Sequence, residues 1–140
     1  MKVLIDTNVA LDVLLKRMPH YEKSAGVFVL SEKKEIEAYI SASAVTDIYY
    51  ITFKALKNKL ATIDLLRKLV NIVSVAAVTD DNVRLALELE WDDFEDSIQY
   101  MAGENLMVEY VITRNPKDFE RGSISAVTPE EFLSRFMESN

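Results

Sequence analysis

Acidic side chains lie at several points where short apolar segments of this sequence end. Asp6 follows Val3-Leu4-Ile5, and Asp47 lies among Ala, Val, Ile and Tyr residues, where a carboxylate is costly to bury unless it is paired or metal-bound. Asp96 lies near the start of a helical pattern, with Asp93 one turn before it. Carboxylates that converge in a partly buried space repel one another unless a cation neutralises them. The hard ions Mg²⁺ and Mn²⁺ prefer such oxygen ligands.

Two further polar residues, Asn115 and Asp118, come shortly after another apolar segment, Val111-Ile112-Thr113. Either one is a candidate to join the acids, and the sequence leaves open which of them does. Each also has a structural alternative, because Asn before proline and Asp in loops commonly form turns or caps. Helix capping is likewise an alternative explanation for the acids at predicted helix starts.

These residues are positioned by strands that alternate with helices. Apolar or β-rich strands are predicted near residues 3–5, 37–41, 72–76, 108–113 and 124–127. Helices are predicted between and after them, near residues 8–14, 19–33, 43–57, 61–69, 79–89 and 94–105, and from 129 onward. This alternation predicts the α/β class, with a parallel sheet covered by helices on both faces. Ligands of such sheets bind beyond the carboxyl ends of the strands, where the acids are expected to meet.

Length and charge limit the classes of function. A chain of 140 residues fits one domain, spanning residues 1–140. A net charge of −7 argues against a module that binds nucleic acid mainly by neutralising phosphates. A metal-dependent nuclease escapes this objection, because bound cations reverse the charge of the site. With no cysteine and only His20 as an imidazole, the chain disfavours zinc and fits a reducing cytoplasm. No run approaches the roughly 18 apolar residues of a membrane helix, so no membrane association is expected.

Four segments, in order along nearly the whole chain, resemble the signature regions of the PIN-domain family. They are VLIDTNV at residues 3–9, the lone acid Asp47 after the second strand, DFEDSIQ at 93–99 and VITRNPKDF at 111–119. The first, third and fourth segments are specific when taken together, whereas the second is weak alone. A stand-alone domain of this length resembles the VapC-type toxins of toxin–antitoxin pairs and their single-domain relatives. The resemblance implies a three-layer α/β/α domain with a central parallel sheet of about five strands.

The resemblance also implies roles for individual residues. Asp6, Asp47 and Asp96 would be catalytic acids that bind Mg²⁺ or Mn²⁺, with Asp118 and Asn115 as further metal ligands. Lesser roles are implied for five other residues: Thr7, Asp93 and Thr113 in support of the acids, and Arg114 and Lys117 in contact with RNA. The implied activity is metal-dependent endoribonucleolytic hydrolysis of phosphodiester bonds. An antitoxin partner and a homodimer are expected by the same resemblance.

Two departures from the family pattern motivate an alternative function. Position 47 is commonly glutamate in the family, so Asp47 has one methylene less reach, and Asn115 is neutral where many members have a fourth acid. A catalytically silent PIN-like module that binds other proteins is therefore a competing hypothesis. An aspartyl-phosphate phosphatase is disfavoured, because haloacid-dehalogenase-like enzymes carry a second Asp where this chain has Asn8. Asp12 and His20 are expected on the surface.

Overall fold

A computed structural model of the chain describes residues 1–139. Within this range the strands are β1 (Lys2–Ile5), β2 (Glu37–Ser41), β3 (Ser74–Ala76), β4 (Tyr110–Ile112) and β5 (Ser125–Val127). The α-helices are α1 (Thr7–Leu14), α2 (Tyr21–Glu32), α3 (Ala42–Leu56), α4 (Lys59–Ile72), α5 (Asp80–Leu89), α6 (Phe94–Leu106) and α7 (Pro129–Ser139). A single 3-10 turn of helix at Pro116–Phe119 joins β4 to β5 within these residues.

The strands form one sheet in the order β3-β2-β1-β4-β5, and every neighbouring pair is parallel. The central strand β1 pairs with β2 and β4, so that Leu4 lies opposite both Tyr39 and Val111. Val3, Leu4 and Ile5 are completely buried, as expected for a strand covered on both faces. The predicted parallel α/β sheet of about five strands is confirmed.

Helices cover both faces of the sheet and create two hydrophobic clusters. Val3 and Ile5 point into the cluster that contains Leu11, Val27 and Phe132 and that is closed by helices α1, α2, α3, α4 and α7. Leu4 points the opposite way, as the alternation of a strand requires, into the cluster formed with α5, α6 and the 3-10 helix. The three-layer α/β/α architecture is therefore confirmed. None of the helices in residues 1–139 is long and apolar enough to span a membrane.

Several predicted boundaries were wrong by a few residues. Helix α2 begins at Tyr21 rather than at Pro19. The third strand is shorter than predicted because helix α4 continues through Ile72. The fourth strand starts late because Met107, with a φ of 56°, ends α6, and the Val108 N–H still donates to Gly103 in that helix. These boundaries depend on helix ends, which local apolar patterns define poorly.

The chain turns directly from strand to helix at the carboxyl edge of the sheet. Asp6 directly follows β1 and is the N-cap of α1. Ser41 ends β2 and is the N-cap of α3, where its hydroxyl accepts the Ala44 N–H at 3.2 Å. With no loop in between, the first turns of both helices lie beside the strand ends. Polar side chains in those turns therefore face one another across this edge.

Replacing Phe132 tests the hydrophobic cluster that packs α7 against the sheet. It is 1% exposed and packs against Tyr110 and Phe136, with ring centroids 5.8 and 6.1 Å away. Phe132→Ala should lower the free energy of unfolding by about 3–5 kcal/mol, because it removes a buried ring and leaves a cavity. Urea unfolding measures this loss. Met137→Ala on the same helix, where the side chain is 75% exposed, is the control and should change it little. Equal losses in both variants would contradict this description of the core.

Candidate active site at the carboxyl edge

A cavity of about 240 Å³ lies at the carboxyl edge of the sheet. Six of its lining residues are acids, and they come from four separate segments of the chain: Asp6, Asp47, Asp93, Glu95, Asp96 and Asp118. The three predicted catalytic acids are thus brought together, along with the predicted residues Asp93, Asp118 and Thr7. An apolar side chain, Ile51 of α3, also borders the cavity.

Asp6 lies at the buried end of the cavity and is held by hydrogen bonds to both carboxylate oxygens. Oδ1 accepts the Thr7 N–H at 2.8 Å and the Gln99 Nε2–H at 3.0 Å, and Oδ2 accepts the Thr113 hydroxyl at 2.8 Å. Its own N–H donates to the Ile112 carbonyl at 2.9 Å, which continues the pairing of β1 with β4. Burial raises the pKa of Asp6, while these hydrogen bonds oppose the rise. The carboxylate is therefore fixed in orientation before any ligand arrives.

Glu95 approaches Asp47 across the mouth of the cavity. The pKa of Glu95 is raised to about 8, first by burial and then by a hydrogen bond with Asp47 and the negative charge of Asp47. The Thr7 hydroxyl donates to Glu95 Oε1 at 3.2 Å. Near neutral pH Glu95 therefore keeps a proton, which it donates to Asp47.

Glu95 and Gln99 were missed in the sequence analysis, although both line this cavity. The available signal was their spacing, because residues four apart lie on the same face of a helix. Asp96 and Gln99, three apart, also share this side of α6. A glutamine flanked by apolar residues in the middle of a helix is a candidate to hold a buried polar group. Here Gln99 is 1% exposed and bonds to Asp6.

Asp96 experiences the negative charge of the whole cavity. Burial is the main cause that raises its pKa to about 7, followed by the charges of Asp6, Asp93 and Asp118. Asp93 also has the structural role that was an alternative from the start: it is the N-cap of α6, and its Oδ1 accepts the Asp96 N–H at 3.1 Å. Asp93 therefore both caps α6 and lines the cavity.

The residues after β4 have divided roles. Thr113 donates its hydroxyl proton to Asp6, and the same oxygen accepts the Asn115 N–H at 3.1 Å. Asn115 does not line the cavity; its Nδ2 donates to Asp118 Oδ1 at 3.0 Å, and Asp118 does line it. Of the two residues left open by the sequence, Asp118 faces the acids, and Asn115 orients it.

The predicted RNA-contacting residues Arg114 and Lys117 do not line the acidic cavity. Arg114 pairs with Asp12 of α1, with Nε 3.1 Å from Oδ2, and Lys117 borders a different surface beside β5. The expectation that Asp12 lies on the surface was wrong, since it is completely buried. The charges of Arg114 and, at 3.9 Å, Arg17 offset part of the cost of this burial, but neither carboxylate oxygen has a hydrogen-bond partner within residues 1–139, and burial raises the pKa of Asp12. His20, also expected on the surface, is partly exposed.

The residues of the cavity fit a divalent cation in their chemistry. Their ligand atoms are oxygens, and the buried Gln99 Oε1 has no hydrogen-bond partner among residues 1–139, so it is available to a cation or a water molecule. The raised pKa values of Asp6, Glu95 and Asp96 reflect burial and crowding that a cation would relieve. Across the part of the chain described, however, no three acids are close enough together to form a ready-made metal site. Metal binding would therefore draw these side chains inward.

A sequence model of the PIN domain matches residues 2–117, which is most of the chain. The chain belongs to the PIN-domain family. The matched range includes β1, β2, β4 and every acid of the cavity except Asp118, which follows the end of the match directly. No curated protein is similar enough in sequence to match this PIN domain.

Solved structures with the same fold include toxins of toxin–antitoxin pairs. VapC20 of Mycobacterium tuberculosis, described as a toxin that cleaves the sarcin–ricin loop, has a TM-score of 0.70 at 12% identity, over 88% of this chain and 97% of that one. VapBC2 of Rickettsia felis, solved on a promoter DNA fragment, has a TM-score of 0.68 at 16% identity, over 91% and 98%. PAE2754 of Pyrobaculum aerophilum has a TM-score of 0.69 at 15% identity, over 99% and 96%. At these identities the similarity establishes the fold.

The raised pKa values predict that this PIN domain loses stability as the pH rises. In the unfolded chain Asp96 and Glu95 ionise near pH 4, whereas in the folded chain they keep their protons up to about pH 7 and 8. The folded state therefore binds more protons between these values, and its stability falls as the pH rises through this window. The Asn side chain of Asp96→Asn cannot ionise, so the Tm of this variant should fall less than that of the wild type between pH 5.5 and 8.5. The difference between the two falls should be about 4 °C, which corresponds to roughly 1 kcal/mol after allowance for solvent screening.

Thermal unfolding in a chelating buffer checks this pH dependence. Glu104→Gln, an exposed change on the same helix, is the control and should follow the wild-type curve. If Asp96→Asn loses as much Tm as the wild type over this range, Asp96 does not titrate as described.

Proposed function

We propose that this PIN domain is an endoribonuclease that depends on Mg²⁺ or Mn²⁺ and acts as the toxin of a toxin–antitoxin pair. The observation that carries the proposal is the convergence of Asp6, Asp47 and Asp96, distant in sequence, on one cavity. Such a concentration of acids destabilises a folded chain unless a cation neutralises it, and the oxygen ligands of this cavity suit a divalent cation. Family membership supports the same function.

Asp6, Asp96 and Asp118 are the residues we expect to hold the cation. A bound divalent ion supplies a water of lowered pKa and stabilises charge on the phosphate that is attacked. Asp6 is already oriented by Thr113 and Gln99, so it needs little rearrangement. Asp118 is held by Asn115, which thereby contributes without supplying a charge of its own. The neutral residue at position 115 is thus compatible with an active nuclease.

Glu95 compensates for the shorter reach of Asp47. Asp47 has one methylene less than the glutamate common at this position, and its carboxylate is bonded to Glu95 from the facing helix. Glu95 is also fixed by Thr7, next to Asp6. With Glu95 deprotonated, the carboxylates of Asp47 and Glu95 would both be available to hold a cation beside Asp6. This makes Glu95 a further member of the catalytic set.

The toxin role and the RNA substrate draw support from related proteins. VapC20 is described as a toxin that cleaves the sarcin–ricin loop, and a protein from Klebsiella pneumoniae with a TM-score of 0.65 and 21% identity was solved as a toxin–antitoxin complex. We therefore propose RNA as the substrate and an antitoxin protein as a partner of this chain. A homodimer and a cytoplasmic location remain predictions from the family resemblance.

One observation favours the alternative of a silent binding module. Within residues 1–139, no three acids are close enough together to bind one cation, and Asp47 is hydrogen-bonded to Glu95. If this arrangement persisted in the presence of cations, the domain would have a PIN fold without catalysis. The unpartnered Gln99 Oε1 and the raised pKa of Asp96 favour the nuclease instead.

Cleavage of RNA by the purified protein tests the proposal. The wild type should cut single-stranded RNA with Mg²⁺ or Mn²⁺ and stop when the ion is chelated. Asp6→Asn and Asp96→Asn should each lower the rate by about 100-fold or more, since several kcal/mol of metal-dependent stabilisation is removed. Asp81→Asn, a matched change of an exposed acid in the first turn of α5, should leave the rate unchanged.

Full activity in the folded Asp6→Asn or Asp96→Asn protein would overturn the nuclease proposal. Calorimetry distinguishes the alternative function. A folded wild type that cuts no RNA and releases no heat with Mn²⁺ would favour the silent binding module.

A further inference from the structure

A second cavity, of about 400 Å³, lies at the same edge of the sheet between the start of α2 and the start of α7. It shares no lining residue with the acidic cavity. Its walls carry the basic side chains of Lys23 and Arg114 and the imidazole of His20, against one acid, Glu130. In a chain of net charge −7, this is a local excess of positive charge. A cavity of this kind favours an anion.

A buried carboxylate holds Arg114 at the edge of this cavity. Asp12 is completely buried and contacts Arg114 through Nε, while Arg17 lies 3.9 Å from its other oxygen. Arg114 makes no hydrogen bond with any residue of 1–139, so its Nη groups can donate to a ligand. One carboxylate cannot neutralise two guanidinium groups, so a positive charge remains. Asp12 thus acts as a positioning residue for Arg114.

Ser24 supplies a second indication of a ligand. It belongs to the wall of the cavity and is completely buried, yet its hydroxyl has no hydrogen-bond partner in the described chain. Buried hydroxyl groups are normally satisfied, so an unpaired one at a cavity wall calls for a partner. A serine hydroxyl is moved by one torsion angle, χ1, and can turn toward an acceptor in the cavity. An anionic oxygen is such an acceptor.

Arg114 connects this cavity with the acidic one. The preceding residue, Thr113, bonds to Asp6, and the following residue, Asn115, bonds to Asp118, whereas Arg114 itself lines the basic cavity. One short segment of chain therefore contributes to both cavities. A nucleic acid strand rises only about 3.4 Å per nucleotide, so a substrate that follows this edge of the sheet from the acids presents its next phosphates to the Arg114 side.

We propose that the cavity lined by His20, Lys23, Ser24 and Arg114 is a subsite that binds a backbone phosphate of the RNA substrate, a few nucleotides from the bond that is cut. The inference rests on the proposed nuclease function. It explains why the chain buries Asp12 at a charge cost: the buried carboxylate pairs with Arg114 at the wall of the cavity. Lys23 has no ion-pair partner in residues 1–139, and the proposal gives it one, the backbone phosphate.

RNA binding by Lys23→Gln tests the subsite. The affinity for a fluorescent single-stranded RNA is measured by anisotropy with Mg²⁺ in the Asp96→Asn background, where cleavage is suppressed. Loss of one charged phosphate contact should weaken binding about 5- to 10-fold and reduce the slope of log affinity against log salt by about 0.7. Lys33→Gln, an exposed lysine just beyond the other end of α2, is the matched control and should change neither quantity.

Arg114→Lys is the second variant. It keeps the charge opposite Asp12 but loses the planar fork of donors, so it should weaken RNA binding with little change in Tm. Equal affinities for Lys23→Gln and Lys33→Gln, or full affinity in Arg114→Lys, would overturn the subsite, even if the wild type cuts RNA. A selective loss in Lys23→Gln with a wild type that cuts nothing would support an RNA-binding subsite and contradict the nuclease function instead.

Discussion

Repulsion among carboxyl groups at one edge of the sheet is the constraint to which the rest of this PIN domain is adapted. Six acids line one small cavity, and the fold tolerates them by fixing Asp6 with three hydrogen bonds and by letting Asp47 and Glu95 share a proton. These devices reduce the repulsion without removing it, as the raised pKa of Asp96 indicates. A cation would remove it directly, and we regard this as the reason for the arrangement.

The parallel sheet makes the convergence of these acids possible. β1, β2 and β4 are neighbours, and all of them end at the same edge. Because β1 and β2 pass into helices through capping residues, Asp6 and the first turns of α3 are held close to the sheet. Helix α6 crosses from the other face and brings Glu95, Asp96 and Gln99 to the same point. The buried Asp12–Arg114 pair lies beside this edge and belongs to the other cavity.

The sequence predicted the fold, the acids that lie near a strand or helix boundary, and Asp47, an acid inside an apolar helical segment. Asp6 and Asp118 could be found because strand ends are evident from apolar runs, and Asp96 because it opens a helix. Glu95 and Gln99 were missed, and Asp12 was assigned to the surface, because their roles depend on the rotation of a helix about its axis relative to its neighbours. That rotation is set by packing between distant segments. Arg114 was singled out as an RNA-contacting residue, which stays a prediction, and its pairing with Asp12 was not foreseen because Asp12 lies 102 positions earlier in the chain.

The central claim is that these acids share a divalent cation. The most direct measurement is the anomalous diffraction of a crystal soaked in Mn²⁺. We predict a peak within coordination distance of Asp6 and Asp96, with Asp47 or Glu95 turned toward it and Asp118 bound directly or through water. A soaked crystal with no anomalous peak among these carboxylates, or with Mn²⁺ bound only elsewhere on the protein, would contradict the claim.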